Sequence, residues 1–130
     1  MSRIKNREKP LKSSVTYFEK VISGHTAVES LKEVSENVYE IKRTGGRPTI
    51  RVLVADIYVV SEADIFEIVT TNYDLTCILL IGFYNRYSGD AKRRALDENI
   101  GLFSMKEFFG AINYNGQKLI NYEPKTKDNK

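Results

Sequence analysis

The sequence predicts an α/β domain, a mixed central sheet of about four strands with helices on both faces, plus a small C-terminal hairpin. Three observations predict it. Cys77-Ile78-Leu79-Leu80-Ile81 is an unbroken apolar run of strand length. Ser61, Ser88 and Ser104 each stand where a helix-capping residue belongs, between strand-like runs. The alternation from Thr49 to Phe103 demands crossover helices, and so at least partly parallel pairing.

Size and composition agree with one domain. The chain has 130 residues, 42% hydrophobic and 28% charged, which is ordinary globular usage. Arg3, Lys5, Arg7, Lys9 and Lys12 crowd the start, and Lys125, Lys127 and Lys130 mark the end. Residues 1–13 and 123–130 therefore read as solvated tails around a single domain at 14–122. No apolar segment approaches the roughly 20 residues of a membrane span, and no apolar h-region follows the basic start. The one cysteine, Cys77, excludes a disulfide within the chain and reads as a buried core thiol. A reducing, cytoplasmic setting with no membrane partner is expected.

Ser14 can cap a first helix from about Val15 to Ile22, with Val15, Phe18, Val21 and Ile22 on one face. Gly24 interrupts it, and Thr26-Ala27-Val28-Glu29 has capping-box spacing before the apolar stripe Val28, Leu31 and Val34, so one bent helix or two short ones are expected. Val38 to Arg43 reads as a strand, and Thr44-Gly45-Gly46-Arg47-Pro48 as a turn. Thr49 to Val60 reads as the next strand, apolar on both faces at Val52-Leu53-Val54. A helix follows from Ser61 to about Thr70, then the connection Asn72-Tyr73-Asp74. Thr76 to Phe83 should be the central, most buried strand. Ser88 caps a helix from Gly89 to about Glu98, which Asn99 ends in the left-handed conformation. Gly101-Leu102-Phe103 is a short strand, and Ser104-Met105-Lys106-Glu107 a second capping box before Phe108, Phe109 and Ala111. Asn115-Gly116 signals a two-residue hairpin between Ile112-Asn113-Tyr114 and Lys118-Leu119-Ile120.

The stretch Leu79-Leu80-Ile81-Gly82-Phe83-Tyr84-Asn85-Arg86-Tyr87-Ser88-Gly89-Asp90-Ala91-Lys92-Arg93-Arg94-Ala95, followed by Ile100-Gly101-Leu102-Phe103, resembles the C-terminal half of restriction-endonuclease-like domains of the Mrr and Holliday-junction-resolvase type. The resemblance spans roughly Val38 to Ala111. It implies a nuclease-like fold and contact with DNA or RNA. In the family an Asp on one strand and the acid of an acid-x-Lys on the next hold a divalent metal that activates water, and the Lys helps orient the nucleophile. Here Pro48-Thr49 stands where Pro-Asp would be, and Asp56-Ile57-Tyr58 where acid-x-Lys would be. Glu40-Ile41-Lys42 has the right letters but lies upstream of any strand acid it could join. The resemblance thus implies a degenerate active site, with no cofactor unless Mg2+ serves an active nuclease.

Asp56 is the one catalytic or metal-ligand candidate. A carboxylate in an apolar strand is costly unless satisfied. It is either a metal ligand or a strand-end group bonded to backbone or to a basic neighbour. Tyr84, Arg86, Tyr87 and Ser88 lie in a loop from a strand C-terminus to a helix N-terminus, where open α/β sheets bind ligands. Arg86 offers a bidentate donor, and Tyr84 or Tyr87 a stacking face. Lys42, Arg43, Arg47 and Arg51 cluster around the Gly45-Gly46 turn and could track a phosphate backbone, or form a solvated loop. Lys92-Arg93-Arg94 reads as an exposed helix face, and Glu40 with Lys42 as a surface pair. The single histidine, His25, supplies neither a zinc site nor a triad well and reads as a helix-junction residue.

Three functions remain open. The first is a nucleic-acid-associated domain without catalysis. The second is a protein-interaction module, such as an immunity or accessory subunit reusing the fold. The third is an unorthodox metal-dependent nuclease using Asp56 with Glu40 or Glu67.

Overall fold

The structure is a computed structural model that describes residues 11–72 and 74–124. The expected tails thus lie largely outside the described residues, as does Tyr73 of the predicted connection. Helix α1 (Lys12–Ser23) leads into β1 (Val28–Ser35), β2 (Val38–Arg43) and β3 (Ile50–Ala55). After a two-residue strand β4 (Val59–Val60) come α2 (Glu62–Thr71), β5 (Cys77–Leu80) and β6 (Arg86–Tyr87). The chain continues with α3 (Gly89–Asp97), β7 (Gly101–Ser104), α4 (Met105–Ala111) and α5 (Gly116–Ile120). Among the described residues, no helix is long and apolar enough to cross a membrane.

The main sheet has five strands in the order β1-β2-β3-β5-β7. β1, β2 and β3 form an antiparallel meander, and β3, β5 and β7 run parallel. The expected mixed sheet is present, one strand wider than predicted. Strand alternation builds two cores, one on each face. Phe18, Ile22, Val52, Val54, Cys77, Leu79, Phe103, Phe108 and Leu119 pack α1, α4 and α5 onto one face. Leu53, Ile65, Ile68, Ile78, Leu80, Ala91, Ala95 and Leu102 pack α2 and α3 onto the other. All four residues of β5 are buried, as its unbroken apolar run requires. The Cys77 thiol lies wholly within the core, and burial pushes its pKa up.

Five expectations need correction. Thr26–Val34 is not helical: Val28–Ser35 pairs with β2 around Glu36-Asn37, where Asn37 takes a φ of 62°. Hairpin pairing across that turn prevails there over a weak local helix signal. Ser14 sits inside α1 rather than capping it, because helix begins at Lys12 behind Leu11. The Thr49–Val60 strand is interrupted at Asp56-Ile57-Tyr58, and its end pairs with β6 in a separate parallel ribbon. β5 stops at Leu80, and Phe83 projects into solvent. The C-terminal hairpin is absent: Asn115 is extended, with φ at −121°, so the double left-handed turn does not form. The chain forms α5 instead, which buries Leu119 and Ile120.

The three serine caps form as read. Ser61 accepts from the Asp64 amide and Ser104 from the Glu107 amide in reciprocal capping boxes. Ser88 accepts from the Ala91 amide at 3.0 Å. Asn99 ends α3 with a φ of 63°.

Candidate ligand-binding edge of the parallel strands

The carboxyl ends of β3, β5 and β7 face the same way, and the chain leaves each through a short connection. Asp56 follows β3, the loop 81–88 follows β5, and Ser104 ends β7 at the start of α4. The N-terminal half of α1 lies across this edge. Between them is a cleft of about 630 Å³ whose lining includes Tyr17, Phe83, Met105, Lys106 and Phe109.

The loop is held from below. Asn85 Nδ2 donates to Asp56 Oδ1 at 3.0 Å, and Asn85 Oδ1 accepts from the Gly82 amide at 2.9 Å. The Leu11 amide reaches Asp56 Oδ2 at 3.5 Å. Gly82 is required by close approach, since a Cβ there would lie 2.4 Å from Asp56 Oδ1 and 2.5 Å from Asn85 Nδ2. This clamp turns the chain sharply after Ile81 and pushes the next two side chains outward. Phe83 is 91% exposed and Tyr84 75%, with their rings edge to face at 5.2 Å. Arg86 is exposed, and its guanidinium lies 5.4 Å over the Tyr58 ring.

Tyr87 and Ser88 play other parts. The Tyr87 hydroxyl donates to the Glu107 carboxylate at 2.8 Å, which ties the loop to α4. Burial, then the Glu107 contact, pushes the phenol pKa up. Ser88 is committed as the cap of α3. Lys92 is not on an exposed face: its ammonium donates to the Leu102 carbonyl at 2.7 Å and sits 4.5 Å over the Phe103 ring. Burial lowers its pKa, partly offset by Glu107.

The basic turn is elsewhere and largely occupied. Ile41 pairs with Ile50 at the start of β3, whereas Ala55 pairs with Leu80 at its end. The Lys42–Arg51 cluster and the Tyr84–Ser88 loop are therefore at opposite ends of the sheet, roughly 16 Å apart along β3. Arg43 is buried and donates to the carbonyls of Pro48, Ile112 and Tyr114 and to the Asn115 side chain. Burial, then the neighbouring Arg47, lowers its pKa. Arg47 donates to the Asn113 and Thr44 carbonyls. Arg51 pairs with Glu40 across the β2–β3 ladder at 3.1 Å, so Glu40 takes Arg51 rather than Lys42. Lys42 is exposed.

A shared metal between Asp56 and Glu40 does not fit, because Glu40 is opposite Arg51, five residues before Asp56. Glu67 sits in the middle of α2. Among the described residues, no group of three His, Cys, Asp or Glu side chains is placed to hold a metal ion. His25 joins α1 to β1: its Nδ1 accepts from the Ala27 amide and its Nε2 faces the Phe109 carbonyl at 3.1 Å.

Sequence reading missed Phe83, Asn85, Tyr17, Met105, Lys106 and Phe109 as parts of this edge. Gly82 was the available signal for Phe83 and Asn85, as a glycine just after an apolar run marks a break or close approach. Nothing local marked Tyr17 or Phe109, which reach the cleft from distant helices. No family model, curated protein or solved structure matches the chain.

Proposed function

We propose that this chain is a nucleic-acid-associated binding domain of nuclease-like fold, without catalysis, that meets its ligand at the carboxyl edge of β3, β5 and β7. The observation that carries this reading is the Phe83–Arg86 loop. It presents two exposed rings and an arginine where open α/β sheets bind ligands, held by a preformed Asp56–Asn85 clamp. The mixed sheet with helices on both faces agrees with the resemblance. The use of Asp56 in that clamp favours a structural role for the carboxylate over a catalytic one.

Fluorescence anisotropy with single- and double-stranded oligonucleotides over a salt series tests the binding. Affinity should fall with rising salt, and loss of binding at low salt would sink the reading. A magnesium-dependent cleavage assay tests the rest: no cleavage is expected. Cleavage that vanishes in Asp56→Asn would establish the metal-dependent nuclease instead.

The second reading, a protein-interaction module, is favoured by one observation. Arg43 and Arg47 are committed to carbonyls, which leaves the domain less cationic surface than its sequence suggested.

A further inference from the structure

Resting on the nucleic-acid reading above, we propose that the ligand is single-stranded, with one unpaired base entering the cleft beside Phe83 and Lys106 holding an adjoining phosphate. Three observations lead there. The first is the chemistry of the cleft. Tyr17, Phe83 and Phe109 bring three rings to it, Met105 adds a thioether, and among the described residues its one charged lining side chain is the cation Lys106. A flat apolar group next to a negative charge complements that lining, and a nucleotide unit has both. Its volume of about 630 Å³ lies in the range of small-molecule sites.

The second observation concerns the cations a duplex needs, among the described residues. Tracking a double helix takes a strip of free cations that neutralise successive phosphates. The arginines best placed in sequence to form one are engaged: Arg43 and Arg47 by carbonyls, and Arg51 by Glu40. They also lie at the far end of the sheet from Arg86. A single strand needs fewer cations if its bases stack, since aromatic platforms supply binding without sequence choice.

The third is the preformed exposure of Phe83 and Tyr84. The Gly82 close approach and the Asn85 bonds set the loop with both rings outward before any ligand arrives. A loop backbone already held in place loses little conformational freedom on binding. The Ser13 and Ser14 hydroxyls at the cleft wall can donate to or accept from any base edge.

The test uses three fluorescein-labelled probes at low salt: a short oligothymidine, a matched duplex, and an abasic strand of the same length. Oligothymidine should bind about tenfold tighter than either of the others. Phe83→Ala should weaken oligothymidine binding about fivefold or more, the lower end for one lost stack, and leave the abasic strand unchanged. The chain contains no tryptophan. Phe83→Trp therefore installs a lone reporter whose fluorescence oligothymidine should quench and the abasic strand should not. Equal binding of duplex and oligothymidine, or an unaltered Phe83→Ala, would overturn this inference while leaving the binding reading in place. Failure of every strand to bind would overturn both and leave a protein partner.

Discussion

Asn85 bonds Asp56 with one end of its amide and the Gly82 backbone with the other, so a single side chain joins the end of β3 to the turn after β5. The two residues are 29 positions apart in sequence. Their contact determines both the shape of the exposed loop and the use of the carboxylate that heads the sequence's candidate metal ligands.

Removing either partner should loosen the loop. Asp56→Ala and Asn85→Ala are each expected to cost about 1–2 kcal/mol, and the double variant less than their sum. Urea unfolding in metal-free buffer measures this, and an Asp56→Ala protein as stable as wild type would remove the clamp from the account. Gly82→Ala should cost more than either, because its methyl group must displace both side chains.

Arg43 should behave as a core residue despite its charge. Arg43→Ala would leave three carbonyls and an amide side chain without their donor, an expected loss of about 3 kcal/mol or more. Lys42→Ala, one position away and exposed, should stay within about 0.5 kcal/mol of wild type. Equal denaturation midpoints for the two variants would contradict this assignment.

Alkaline stability should carry the mark of Tyr87. Its folded-state pKa is raised, first by burial and then by the Glu107 hydrogen bond. A raised pKa contributes stability that is fully present below the unfolded value, near 10, and is lost as pH climbs through the folded value. Tyr39, bonded to Glu19, is shifted the same way. Tyr87→Phe is expected to lower stability by about 1.5 kcal/mol at neutral pH. The gap between wild type and variant should narrow above about pH 10, and a gap constant through the alkaline range would refute the linkage.

Salt dependence separates the two basic groups. If Arg86 contacts a phosphate, Arg86→Ala should reduce the slope of log affinity against log salt by about 0.7 for a single strand. Lys42→Ala should leave that slope unchanged, because its turn lies at the other end of the sheet. The opposite pattern would move the binding surface to the Lys42–Arg51 turn.

Local and periodic features were legible in the chain alone. The Ser61, Ser88 and Ser104 caps, the Asn99 terminus and the buried Cys77 run follow from contacts within a few residues, or from an apolar stretch that must be covered on both faces. Those features were enough to determine a mixed α/β sheet with helices on both sides. Tertiary structure decided what depends on distant partners. Val28–Ser35 begins within the Thr26–Glu29 capping-box pattern and still pairs with β2, because sheet hydrogen bonds prevail over a weak helical preference. Gly116–Ile120 is helical because Leu119 and Ile120 find a core to bury in, while Arg43 takes the Asn115 side chain from the predicted turn. Arginines near one another in sequence looked like a binding strip until carbonyls 65 or more residues away claimed two of them. Charge in a sequence reports only that a cation exists; whether it is free depends on which distant acceptors the fold brings within hydrogen-bonding reach.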